Sequence, residues 1–349
     1  VDGFRFDLAG ILGEPDAEVH EFSQLWEDVY PQNGNVDYND RIDPELTVLG
    51  DIIEEPLFQQ QNTRMVSEPW TAGGSGPGIG GFSVSQSNPD YAWAEWNAHF
   101  RDWWRAFVNN CNEGNGWQCY GDSSTTEWAL NDNEGPVDGG GSITGSEALY
   151  GWNGRKPYHS INFVTVHDGF TLYDMFSYTD KQNECGVLNP ICCEDPTSAW
   201  CETNSGENHN RSFDWGMGRE HMKRQQMRNL FAALFFSHGT PMILGGDEWM
   251  RTQYGNNNAY SDWADNEWNW FRWGEWQSSA NSERSRMHDF VRNMTRMRRE
   301  HKYAFAPENH GSGMPYAWKN PGNSGEPDWN GRTMMVHYYD DGNWDEAEL

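Results

Sequence analysis

Three short apolar segments of this 349-residue chain each run into a carboxylate and then into a residue that stops a strand. In the first, Val1 to Ala9, Arg5 and Asp7 stand two residues apart and so share one side of an extended chain. A guanidinium so placed can hold a carboxylate ionised and aimed. The second, Thr63 to Trp70, ends at Glu68, with Pro69 unable to continue a ladder and Trp70 offering a flat ring that can cover a ligand. The third, Asn162 to Gly169, stays apolar until it delivers His167 and Asp168 side by side. Taken singly, these are a buried ion pair, a solvated strand end and a loop hydrogen bond. Taken together, parallel strands that end in carboxylates describe the active-site face of a (β/α)8 barrel.

The wording of these segments carries a family resemblance. "GFRFDLA", "SEPW" and "NFVTVHDG" resemble, in order and spacing, the conserved regions of glycoside hydrolase family 13, the α-amylase superfamily. "EPWTAGG", "VHDGFTLYDMFSY", "GTPMILGGDEWMRTQYGNNNAY" and "DNEWNWFRW" resemble isoamylase and bacterial glycogen debranching enzymes more than a plain α-amylase. The likeness runs from Val1 to about Pro307. It implies that Asp7 is the catalytic nucleophile, Glu68 the general acid/base and Asp168 the transition-state stabiliser, with Arg5 and His167 in support; Trp70, by its ring at the strand end, is a candidate substrate-binding residue. Retaining glycosidases need one ionised and one protonated carboxyl about 5 to 5.5 Å apart. Asp7 beside Arg5 suits the first role, and Glu68, screened by Trp70 and facing another carboxylate, the second. That chemistry requires no cofactor and no catalytic metal, and structural calcium is left open.

The same resemblance places the first segment at the fourth barrel strand. The chain opens in mid-motif without a leader, and the family's first conserved region is not found in it. The expected fold is therefore α/β, the second half of a (β/α)8 TIM barrel over residues 1–303, with the start of a C-terminal antiparallel β domain over 304–349. The N-terminal part of the barrel, and any β domain before it, would lie in a longer protein. Helical spacing is read over 17–30, 94–108, 221–238 and 282–301. Residues 78–83 are a candidate for strand six, 241–245 for strand eight, and 333–339 for a strand of the last domain.

A formal charge of -29 with five lysines excludes nucleic acid as a natural partner and leaves a strongly hydrated surface, with no membrane segment to read. Neutral polysaccharide needs no charge match. Twenty tryptophans exceed what a core of this size requires, so Trp215, Trp268, Trp270 and Trp273, with Trp70, are candidate sugar platforms. Cys111 and Cys119, and the set Cys185, Cys192, Cys193 and Cys201, lack zinc-ligand spacing and read as loop-stapling disulfides of an exported protein; free thiols in the cytoplasm are the alternative.

The leading expectation is a hydrolase of α-1,6 branch linkages in glycogen, amylopectin or limit dextrins. An α-glucan transferase or branching enzyme shares the trio, and a noncatalytic carbohydrate-binding protein shares the fold. Long aromatic loops after strands five, seven and eight favour a cleft wide enough for a branch point. Asn256, Asn257 and Asn258 in that region are either part of it or turn formers.

Overall fold

A computed structural model describes residues 2–13, 48–70, 78–109, 111–112, 118–119, 142–183, 206–259, 269–274, 282–310, 316–319 and 335–338. Its centre is a five-stranded, wholly parallel sheet made of β1 (Gly3–Phe6), β2 (Arg64–Ser67), β3 (Ala94–Asn97), β6 (Ser160–Asn162) and β7 (Thr240–Pro241), in that order. Neighbours in the sheet follow one another in the chain, apart from the small β4 (Cys111–Asn112) and β5 (Gln118–Cys119) hairpin. Every strand therefore ends at the same edge of the sheet, where loops gather. Gly3 lies opposite Arg64. A Cβ there would come within 2.5 Å of the Arg64 carbonyl oxygen, so only glycine lets β1 and β2 pair this closely.

Helices pack against the sheet for reasons readable in their spacing. In α5 (Glu220–Phe236), Met227, Leu230, Phe231, Leu234 and Phe235 recur every three or four residues and are buried. They meet Phe100 and Trp104 of α3 (Ala98–Asn109) and Met287 and Val291 of α6 (Glu283–Glu300) in one core, while the short α4 (Glu147–Tyr150) buries Leu149 and Tyr150. Arg298 of α6 donates to the carbonyls of Phe235, Ser237 and Gly239 at 2.5–2.7 Å, which satisfies the open C-terminus of α5 just before β7 begins. A second core, with Leu49 and Ile53 of α1 (Val48–Glu54), Met65, Phe82 and Trp93, backs β1 and β2. Glu55 and Pro56 start α2 (Pro56–Gln60), the side chain of Glu55 accepting from Leu57 N–H at 3.1 Å. Among the described residues no helix is long and apolar enough to cross a membrane.

Three expected boundaries move. Residues 78–83 form no strand; the third sheet strand is Ala94–Asn97, the start of the run expected to be helical. Asn97 sets the change, because its side-chain oxygen accepts from Phe100 N–H at 2.9 Å and so caps a helix that can begin only at Ala98. The ladder around Asn162 begins at Ser160 and stops at Asn162, and its partner is Thr240–Pro241 rather than 241–245. Pro241 has no N–H to extend the pairing, and Met242 N–H closes it on the Asn162 carbonyl at 2.8 Å. Phe163, Val164 and Val166 stay buried beyond the ladder.

Near the C-terminus, α7 (Lys302–Phe305) precedes an antiparallel pair, β8 (Tyr316–Lys319) and β9 (Met335–Tyr338). The expected helix over 17–30 lies outside the described residues. So do Trp268 and the four cysteines from Cys185 to Cys201. Cys111 and Cys119 are register partners across β4 and β5, and no disulfide is seen among the described residues.

Candidate active site

Asp7 follows the last residue of β1, and Glu68 the last residue of β2; Phe6 and Ser67 are register partners, so the two carboxylates leave adjacent strands side by side. Hydrogen bonds continue past the ladder, from Glu68 N–H to the Phe6 carbonyl at 3.0 Å and from Ala9 N–H to the Glu68 carbonyl at 2.9 Å. Arg5 joins the pair, with one guanidinium nitrogen on Asp7 and another 3.1 Å from Glu68. The second Glu68 contact is Leu8 N–H at 2.8 Å, made possible by a left-handed Leu8 with φ of 43°. The two carboxyls share this one cation at the ends of adjacent strands, as a retaining pair requires of two carboxyls on one side of a cleft. Their strands lie about 4.8 Å apart and one cation draws both inward.

Exposure separates their chemistry. The Asp7 side chain is 68% exposed and that of Glu68 only 7%. Burial pushes the Glu68 carboxyl above the usual carboxylate range, and the nearby Asp7 adds to the effect. Leu8 N–H and Arg5 pull the other way without cancelling it. A solvent-facing carboxylate thus stands beside a buried carboxyl inclined to keep its proton, which is the division of labour that acid-assisted displacement requires.

Trp96, on β3, is the residue sequence reasoning missed. Its ring lies under the Arg5 guanidinium at 4.2 Å and also meets Trp70 at 6.3 Å and His167 at 6.0 Å. One indole therefore connects the Arg5 cluster to His167. The signal was available, since Trp96 alternates with Glu95 and Asn97 in strand fashion, but the helical run that follows masked it.

Asp168 stands beyond the end of β6, on the same edge of the sheet. It adds to the negative surroundings that hold the neighbouring Arg101 charged. Among the described residues no hydrogen bond or ion pair links it to Asp7 or Glu68, and no hydrogen bond reaches its buried Oδ1. The structure thus brings Arg5, Asp7 and Glu68 into contact, reaches His167 and Trp70 through Trp96, and sets Asp168 on the same rim. Of the other aromatic candidates, Trp270 and Trp273 are largely exposed, while Trp215 packs partly into the core. Asn256, Asn257 and Asn258 are buried. Asn257 ties Asn183, Asn210 and the Glu207 carbonyl together and so binds loop to loop, whereas the Asn256 side chain accepts from Asn258 N–H at 2.8 Å in a local turn, and none of the three takes a left-handed backbone.

A pullulanase from Bacillus acidopullulyticus has a similar structure, with a TM-score of 0.52 at 18% identity over 98% of this chain and 30% of that one. That likeness defines the fold as an α/β barrel type. No family model matches. An isoamylase from a Flavobacterium species is 35% identical over 285 residues, 81% of this chain and 30% of its own length. A glycogen operon protein GlgX homolog from Mycobacterium tuberculosis is 34% identical over 86% of this chain and 33% of its own. The chloroplastic isoamylase SU1 of Zea mays is 31% identical over 97% of this chain and 37% of its own. The chain belongs to the isoamylase type of glycoside hydrolase family 13. It spans about a third of the length of the curated relatives it matches.

Proposed function

We propose that the protein carrying this chain is a retaining glycoside hydrolase that cleaves α-1,6 branch linkages in glycogen, amylopectin or limit dextrins. The observation that carries the reading is the Arg5-bridged pair of an exposed Asp7 and a buried Glu68 at neighbouring strand ends. Asp7 attacks the anomeric carbon. Glu68 gives its proton to the departing glycosidic oxygen and then takes one from water to release the sugar. Asp168 and His167 hydrogen-bond the distorted sugar, in contacts that strengthen as oxocarbenium character grows. Trp70 covers its face. The names of the relatives, isoamylases and proteins of glycogen operons, support an α-glucan as the substrate. The whole scheme runs on side chains, without a cofactor.

The five parallel strands are read as strands four to eight of a (β/α)8 barrel over 1–303, and the β8 and β9 hairpin as the opening of a β domain over 304–349. The single-layered, consecutive strand order supports the first, and the switch to antiparallel pairing the second. Export is the companion proposal. It is supported by the register of Cys111 with Cys119, and non-reducing peptide mass analysis should find these two linked. Six free thiols in freshly isolated protein would instead place it in a reducing compartment.

Sizing the products from amylopectin and linear amylose tests the activity. Release of linear chains from amylopectin with amylose left intact is expected. Rapid shortening of amylose would make the protein an α-amylase, and new branches a transferase.

A further inference from the structure

Two buried aspartates outside the Arg5 cluster cross-link the loops at the strand ends in opposite directions. Asp247, in the loop after β7, accepts from the Thr165 hydroxyl and from Leu172 N–H at 3.0 Å. Asp174, in the loop after β6, accepts from the Thr252 hydroxyl at 2.5 Å, from Gln253 N–H at 2.7 Å and from Gly255 N–H at 3.4 Å. Each loop thus lends the other a carboxylate. The backbone adds Gly169 N–H to the Asn257 carbonyl at 3.0 Å, and the Thr171 hydroxyl reaches the Arg251 carbonyl at 2.9 Å.

The two residues held by Asp247 bracket His167 and Asp168. That matters because Asp168 Oδ1 is buried and receives no hydrogen bond among the described residues. Side-chain bonds to that oxygen do not fix the carboxylate, so its place is set by the backbone that carries it. Gly169 turns that backbone with a φ of +88° immediately afterwards. Thr165 and Leu172 are its feet.

We propose that Asp247 is a positioning residue for Asp168: by holding both feet of the 165–172 loop on the loop after β7, it sets where the Asp168 carboxylate stands against the sugar. The proposal rests on the assignment of Asp168 as the transition-state stabiliser. Asp247 touches no substrate; it acts through the loop. Burial pushes its carboxyl up to about 7, which suits a group that holds its partners by hydrogen bonds more than by charge.

The test uses the full-length protein and a branched α-glucan, with kcat and KM measured separately and folding followed by thermal unfolding. Asp247→Ala is expected to lower kcat about 100-fold while KM changes little, because a misplaced group costs most where its contact is strongest. Asp247→Asn keeps an acceptor for Leu172 N–H and an amide for Thr165, and should recover most of kcat. Should Asp247→Ala fail to fold, Thr165→Val removes one tie alone and should still lower kcat more than it raises KM. Wild-type kcat in whichever of Asp247→Ala and Thr165→Val folds, or a loss confined to KM, overturns the proposal. Asp168→Asn provides the separate arm. Its inactivity alongside a normal Asp247→Ala defeats only the positioning role, whereas near-normal turnover by Asp168→Asn defeats the assignment on which that role rests.

Discussion

Arg5 performs three tasks with one guanidinium: it pairs Asp7, reaches Glu68 and rests on Trp96. Removing either carboxyl should therefore affect chemistry before stability. Asp7→Asn takes away the nucleophile and Glu68→Gln the proton donor, and each is expected to reduce turnover by several orders of magnitude while glucan binding persists. Steady-state rates with binding isotherms check this, and near-normal turnover by either variant would refute its role. Trp96→Leu should be milder. It removes a cation–π contact of about 0.5–1 kcal/mol at a partly exposed guanidinium, so turnover should fall by roughly two- to five-fold as Arg5 and His167 lose their common support. The three carboxylates and Arg5 were legible in sequence because strand alternation and chain breakers mark them. Trp96 was not, because Ala94–Asn97 adjoins a strong helical pattern and only the Asn97 cap divides them.

Elements here are joined by buried polar groups as much as by apolar faces. Asp174 and Asp247 both lie within segments whose likeness to isoamylase was plain, yet neither stood out, since loop-to-loop hydrogen bonding leaves no periodic trace. Their carboxyls are pushed up by burial, to about 6 and about 7, from an ordinary value near 4. The folded state therefore binds protons more tightly than the unfolded chain between about pH 4 and 7. Their contribution to stability is complete below that window and is lost as pH rises through it. The stability gap between wild type and Asp247→Asn should accordingly narrow from pH 4 to pH 8 in denaturant titrations, and a widening gap would contradict the burial argument. Helix α5 was clear in sequence from its apolar repeat. The start of β7 was not, because Arg298 of the distant α6 caps the helix and Pro241 cuts the ladder short.

At the scale of the molecule, the parallel order of the sheet turns residues far apart in the chain into neighbours at one edge. The arrangement of strands fits the α/β barrel type expected from the resemblance. The account's central claim is that Asp7 and Glu68 act as nucleophile and acid from adjacent strand ends bridged by one guanidinium, so that the sugar is displaced twice rather than once by water. Stereochemistry tests this most directly. Proton NMR of the first reducing ends released from a branched α-glucan should show the α-anomer, formed by two successive displacements, before mutarotation mixes the two. Initial release of the β-anomer would mean a single displacement by water and would contradict the account.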